Sequence, residues 1–264
     1  MQRRLTDLMK TLKLGGMAQV LDTELALAEK EGLSPEQLIE RLLVEEFRYR
    51  QERSLLYRIK QGRIPWPWTL DSFPFEKQPG VGKSRIMGLA SLAFVDRAEN
   101  IVFIGDPGTG KTGLAIGLLR QALVSGRRGR FFKAQDLLDE LYASLADRST
   151  PRLFKRLAGY DLLVIDELGY LTLNSEQINA FFKLMDERYS RKSTIITTNL
   201  DYPQWYDLFG RKALVDALLD RLKHRCITIR VSGPSLRVPV NTETQETHHA
   251  SPTKQTSKPK STTK

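Results

Sequence analysis

Apolar residues return at three- and four-residue steps along the N-terminal part of the chain: Leu5, Leu8, Met9, Leu12, then Val20, Leu21 and Leu25, among charged neighbours. That spacing predicts helices, punctuated at Gly15 and Gly16. A helix start is written at Ser34-Pro35-Glu36-Gln37. Ser34 can cap, Pro35 fits the first helical position, and Gln37 completes a capping box ahead of Leu38, Ile39, Leu42, Leu43 and Phe47. Residues 1–64 are therefore expected to form a small all-helical domain ending in one long helix. Next comes RIPWPWTLDSFPFEKQ, where prolines forbid a continuous helix and Trp66 and Trp68 supply apolar area. Residues 65–85 are expected to form an ordered linker packed on the following domain. The two tryptophans are expected to be packing anchors, the alternative being platforms that stack on DNA bases.

From residue 86 the pattern alternates between strand and helix. Short apolar or β-branched runs at Asn100–Ile104, Arg130–Ala134, Leu162–Ile165, Ser193–Thr198 and Cys226–Val231 predict five strands. Helical spacing is read over SRIMGLASLAFV, over Thr112–Ser125, closed by Gly126, and over Ser175–Ser190. Strands separated by helices imply an α/β fold with a parallel sheet covered on both faces, spanning residues 86–240. No internal repeat interrupts it. The tail, 241–264, is Thr, Ser, Pro and Lys with almost nothing to bury, and is expected to be disordered.

Composition narrows the partners. The chain has 41 Lys+Arg against 31 Asp+Glu, a formal charge of +10 that favours an anionic partner such as nucleic acid. The single Cys226 cannot close an internal disulfide, and with His224, His248 and His249 it lacks zinc-site spacing. The N-terminus is amphipathic, and no run approaches the roughly 18 apolar residues of a membrane span. A cytoplasmic protein without membrane contact is expected.

Two stretches look like phosphate loops, PGVGKS near residue 80 and GDPGTGKT beginning at Gly105. A working loop needs a buried strand, a glycine turn, and a helix whose first amides and positive dipole end face the anion. Gly105-Asp106-Pro107-Gly108-Thr109-Gly110-Lys111-Thr112 has all three, followed by Gly113 and an apolar helix. Lys111 is expected to reach the β- and γ-phosphates of a nucleotide, and Thr112 to hold Mg²⁺. PGVGKS has Lys77 at the first glycine position and prolines and charges where the strand belongs, so Lys83 and Ser84 are expected to begin a helix instead.

Asp161-Leu162-Leu163-Val164-Ile165-Asp166-Glu167 delivers two carboxylates at the C-terminal end of an apolar strand, where parallel sheets bind ligands. Asp166 is expected to hold Mg²⁺ and Glu167 to polarise an attacking water. Asn199, just past a buried strand, reads equally as a γ-phosphate contact or a turn residue. Arg221 and Arg225 lie one helical turn apart and are expected on one face. Their spacing alone favours a solvated basic helix end, the alternative being a guanidinium offered to a neighbouring subunit's phosphates.

Together GDPGTGKT, LLVIDELGYL, STIITTN, ALVDALLDRLKHR and the helical segment ahead of LDSF resemble the IstB-type transposition helper ATPases, in the DnaA/DnaC-like branch of AAA+ proteins. The resemblance implies an AAA+ P-loop NTPase core with a five-stranded parallel sheet, a small helical N-terminal domain used for oligomerisation or partner contact, and no C-terminal lid or sensor 2 arginine. It places Lys111 and Thr112 at Walker A, Asp166 and Glu167 at Walker B, Asn199 at sensor 1, and Arg221 or Arg225 at the arginine finger. It further implies Mg²⁺-dependent ATP hydrolysis of modest intrinsic rate in a homo-oligomer with ATP at subunit interfaces. The partners it implies are double-stranded DNA, bound with little regard to sequence, and an IstA-type transposase. A helical insertion, here Gln135–Tyr160, contacts DNA in that family, which puts Arg148, Arg152, Lys155 and Arg156 forward as DNA-binding residues. A DnaC-like helicase loader is the alternative function, and a small-molecule phosphotransferase is disfavoured because no lid with phosphate-clamping arginines is evident.

Overall fold

The computed structural model describes residues 2–169 and 171–237. Three helices open the chain: α1 (Gln2–Thr11), α2 (Gly15–Glu31) and α3 (Pro35–Gly62). The capping box forms as the sequence predicts, with Ser34 Oγ accepting from Gln37 N and Gln37 Oε1 accepting from Ser34 N. Gly15 and Gly16 are not a break between helices; they are the first turn of α2. A Cβ on Gly16 would lie 2.6 Å from Tyr49 Cβ and 2.8 Å from the Glu45 carbonyl, so only glycine lets α2 sit this close to α3. The buried carboxylate of Glu46 then accepts from the N–H groups of Gly16 (2.7 Å) and Met17 (3.2 Å), satisfying amides that the helix start leaves free. Met9, Leu21 and Leu42 form the small core of this bundle. The far end of α3 meets the sheet domain: Arg58 Nε donates to Leu123 O and Arg130 Nη1 donates to Gln61 O.

The proline-rich stretch is ordered and buries Leu70 and Phe73 against the sheet domain. After it, SRIMGLASLAFV is not one helix. It splits into α4 (Lys83–Leu89) and α5 (Ala93–Asp96), because Leu92 takes a left-handed conformation (φ 62°) that turns Phe94 and Val95 into the core beside Ile86.

Strands β1 (Asn100–Ile104), β2 (Gly129–Lys133), β3 (Leu162–Asp166), β4 (Ser193–Thr198) and β5 (Cys226–Arg230) form one sheet in the order β2-β3-β4-β1-β5, every pair parallel. Helices α6 (Lys111–Val124), α7 (Ala134–Ala146), α8 (Thr150–Ala158), α9 (Ser175–Arg188), α10 (Trp205–Phe209) and α11 (Lys212–His224) complete the domain. Strand residues alternate between two cores. Ile101, Phe103, Val164 and Ile195 pack with α6 and the linker, while Val102, Leu163, Ile165 and Ile196 pack with α7 to α11. The order of connection reverses on either side of β1, which opens a crevice at the C-terminal ends of β1, β3 and β4. No helix among the described residues is long and apolar enough to cross a membrane. The expected disordered tail, and any lid beyond residue 237, lie outside the described residues.

Arg188, at the end of α9, is 1% exposed and ties α8 to β4. Its guanidinium donates to Leu157 O (2.7 Å), Tyr160 O (2.9 Å), Thr194 Oγ1 (3.0 Å) and Ser193 O. Arg188→Ala would orphan these acceptors and leave a cavity, and should cost about 3–5 kcal/mol of unfolding free energy. Urea titration checks this, and a loss below about 1 kcal/mol would contradict the structural role.

Candidate nucleotide site

Strand β1 ends at Ile104 and α6 starts at Lys111; the turn between them is made possible by Gly108 (φ 83°) and Gly110 (φ 97°), both left-handed. Thr109 Oγ1 donates to Asp106 O at 2.8 Å and pins the loop from within. The first turn of α6 holds no acidic residue, so its free amides and positive dipole end face the crevice uncompensated. Lys111 Nζ folds back over the loop and donates to Gly105 O and Asp106 O, both at 2.8 Å. Burial pushes its pKa down, against the pull of Asp166 and Asp106. A half-buried ammonium resting on carbonyl oxygens is well placed to exchange them for phosphate oxygens.

The competing PGVGKS stretch has no strand before it. It follows a short 3₁₀ turn at Phe75–Lys77, buries Val81, and sends Lys83 over the Phe75 ring, 5.8 Å from its centroid, as α4 begins. Its Gly80 packs closely on Ser232, where a Cβ would lie 2.3 Å from the Ser232 carbonyl oxygen.

Asp166 closes β3 and is 1% exposed. Its Oδ1 accepts from Thr112 Oγ1 at 2.8 Å and from Thr197 Oγ1 at 2.5 Å. Burial pushes its pKa up, and the two hydroxyl bonds oppose that shift. Thr197 Oγ1 also accepts from Glu167 N at 3.0 Å. This holds Glu167 in a left-handed conformation (φ 62°) that costs a non-glycine residue on the order of 1 kcal/mol or more. The consequence is that adjacent carboxylates do different things: Asp166 is locked inside, and Glu167 is exposed at the cavity wall. Asn199, just past β4, lies against Gly169, with Oδ1 only 2.2 Å from where a Cβ there would stand.

Lys111, Thr112, Gly113, Glu167, Thr198 and Asn199 line one cavity of about 600 Å³, with Pro107, Gly108 and Gly110 on the loop side. That volume is in the range of small-ligand sites. Gly105, Asp106 and Thr109 shape the loop behind it. The cavity has two further walls that local pattern did not announce. Trp66 and Trp68 come from the linker; Trp68 packs at Gly113 and against the core, whereas Trp66 is 49% exposed and is cavity wall without being the packing anchor expected. Leu236 and Arg237 come from the extended segment after β5. Thr197 was also missed; its only signal is a hydroxyl residue one position before the end of a buried strand and two before Asn199.

Other expected site residues lie elsewhere. Arg221, on α11, pairs with Asp186 at 3.0 Å and sits 6.0 Å from the Tyr189 ring centroid. Arg225 does not share its helix face, because α11 ends at His224 and Arg225 O is drawn into the sheet by Asn100 N (2.8 Å), leaving Nη1 to donate to Arg97 O. Neither lines the cavity of its own chain. The insertion forms α7 and α8; Arg148, Arg152, Lys155 and Arg156 are exposed around α8, whose Leu153, Phe154 and Leu157 face the core. Arg156 pairs with Glu140, and among the described residues no ion pair holds the other three.

With that geometry in place, residues 7–244 match the family described as IstB-like ATP binding protein. The chain belongs to this family. A protein of Pseudomonas aeruginosa named as the ATP-binding protein of insertion sequence IS21 is 36% identical over 88% of this chain and 87% of its own length. One named for insertion sequence IS232, from Bacillus thuringiensis subsp. berliner, is 34% identical over 89% and 94%. Among solved structures, the DnaC helicase loader superposes with a TM-score of 0.54 at 25% identity, over 64% of this chain and 99% of that one. The replication initiator DnaA bound to AMPPCP and single-stranded DNA gives 0.53 at 19% identity, over 63% of this chain and 50% of that one, and shows the shared fold alone. The five-stranded parallel core is thus the AAA+ fold, in an ATP-binding family associated with insertion sequences.

Proposed function

We propose that this family member is an ATP-dependent regulator of DNA transposition that assembles on double-stranded DNA, remodels it, and activates a partner transposase of the IstA type. The observation that carries the reading is the convergence of Thr112 and Thr197 on Asp166 beside Lys111, in a chain whose relatives are named for insertion sequences.

In this reading Lys111 releases the loop carbonyls and binds the β- and γ-phosphates, while the amides opening α6 cradle the phosphate chain. The Trp68 indole beside Gly113 offers a face to the base. Thr112 and Asp166 fit magnesium: both are hard oxygen donors, and an ion that shares its sphere with phosphates and water needs few protein ligands. Bound there, Mg²⁺ would offset the charge on the phosphates during transfer. Glu167 orients and deprotonates the attacking water, and Asn199 holds that water or the γ-phosphate. Arg221 or Arg225 of an adjoining copy supplies the remaining cation, so hydrolysis by a lone protomer is slow. Arg221 must leave Asp186 to do this.

A helicase loader is the second reading, supported by the likeness to DnaC. It is less favoured because the IS21 and IS232 relatives align over 88% and 89% of this chain, whereas the loader likeness spans 64% of it. Imaging the protein with duplex DNA and a non-hydrolysable ATP analogue separates assembly from none, and adding the transposase or a helicase separates the readings. Assemblies that need both duplex and nucleotide and that stimulate insertion are expected; a protein monomeric under all conditions overturns the proposal.

The exposed cations around α8 give a second prediction. Charge reversal of Arg148, Arg152 and Lys155 together should weaken duplex binding about tenfold or more and lower the slope of log K against log salt by about three. Nucleotide affinity should not change. An unaltered salt slope would remove α8 from the DNA surface.

A further inference from the structure

The segment after β5 is stitched to the phosphate loop. Val231 N donates to Ile104 O at 2.7 Å, and Leu236 N donates to Gly108 O at 2.8 Å. Gln78, fully buried in the linker, donates from Nε2 to Pro234 O, and Gly80 of the linker packs on Ser232. Leu236 covers Gly110 together with Phe73. The strap therefore has a fixed course over the glycine turn, and it delivers Arg237 to the wall of the cavity that also exposes Lys111, Thr112 and Asn199.

Arg237 has no ion pair among the described residues, although ten such pairs hold other cations on the surface. Its charge is near enough to Lys111 to push the lysine pKa down. Lys111 and Arg237 thus put two cations on the wall of one cavity, which Glu167 also lines, and a polyanion placed there would be attracted to both.

We propose that Arg237 is a phosphate-binding residue acting within its own subunit, contributing a guanidinium to the nucleoside triphosphate held by Gly105–Thr112. The inference rests on the reading of that loop as the nucleotide site. A guanidinium here donates to phosphate oxygens in a planar fork that can engage two of them at once. Because the strap is bonded to both linker and loop, phosphate contact at Arg237 also fixes the wall formed by Leu236. Only the parent subunit is needed, in contrast to the arginine expected from a neighbour.

The test uses the full-length protein at a concentration where it is monomeric, with magnesium and a non-hydrolysable ATP analogue, read by titration calorimetry and by the analogue's effect on thermal melting. Arg237→Ala should raise the dissociation constant about tenfold or more and shrink the nucleotide-induced melting shift, with the nucleotide-free melting temperature unchanged. Arg237→Lys should recover part of the affinity, which a purely structural role would not produce. Leu236→Ala provides the control for the strap itself: it should loosen binding less than Arg237→Ala. If Arg237→Ala binds the analogue within about twofold of the parent while Lys111→Ala does not bind, the inference fails and the nucleotide site stands. If Lys111→Ala also binds as the parent does, the nucleotide site itself is wrong and the inference falls with it.

Discussion

Lys111→Ala should raise the dissociation constant for ATP by two orders of magnitude or more and should abolish ATP-dependent assembly on duplex DNA. The size of the effect follows from the geometry. Among the described residues lining the cavity, Lys111 is the lysine that projects from the loop, and burial has stripped away part of its hydration. Its present partners are two backbone carbonyls at 2.8 Å, weaker acceptors than phosphate oxygens. Each charge-assisted hydrogen bond contributes about 1.5–3 kcal/mol, so losing contacts to two phosphates corresponds to about a hundredfold or more in affinity. The fold should survive, because the side chain makes no core contact that alanine would empty and the released carbonyls can bond to water. Calorimetry with ATP, beside a thermal melt without it, separates loss of binding from loss of structure. A folded variant that binds ATP within threefold of the parent would defeat the proposed site.

Glu167→Gln should produce the opposite phenotype on assembly. Its amide keeps the shape and the backbone bond from Glu167 N to Thr197 Oγ1, yet it cannot accept a proton from water. Turnover is expected to fall by about 10²–10⁴ while nucleotide affinity changes little, since the contribution of a positioned general base lies in that range. With hydrolysis blocked, ATP-bound assemblies on duplex DNA should persist instead of dispersing. Single-turnover hydrolysis together with filter binding over time reads both effects. A drop in rate below tenfold would assign water activation to another group. The left-handed backbone at Glu167 makes this variant more informative than Glu167→Gly, which would relieve the local strain and change the loop as well as the chemistry.

Much of the sheet domain was legible because its signals are local. A buried strand, a glycine turn and an apolar helix are contiguous in the chain, so the loop from Gly105 to Thr112 could be told from PGVGKS by its flanks alone. The two carboxylates ending β3 were legible for the same reason. The division of labour between them was not: it depends on Thr197, 31 residues from Asp166, whose hydroxyl both fixes the buried carboxylate and anchors the next amide. The split of α4 from α5 also escaped the periodicity, which records apolar spacing but not the left-handed turn at Leu92 that lets Phe94 reach the core. For Gly15 and Gly16 the reading as punctuation failed because the reason for glycine is the approach of Tyr49 and Glu45 from another helix.

Arg221 and Arg225 show where residue spacing misleads. Four positions apart means one face only while the helix lasts, and α11 stops between them because β5 must enter the sheet beside β1. Trp66, Trp68, Leu236 and Arg237 carry no motif at all. They reach the cavity because a linker and a strap, far apart in sequence, are bonded to each other through Gln78 and Pro234 over the same glycine turn.

By itself, then, the amino-acid order determined the strands, the glycine turn between β1 and α6 and the paired carboxylates, since each is fixed by neighbours a few residues away. Only the tertiary structure decided which carboxylate is buried, which arginines stand apart, and what walls the cavity, because those outcomes depend on contacts between segments whose separation along the chain leaves no periodic trace.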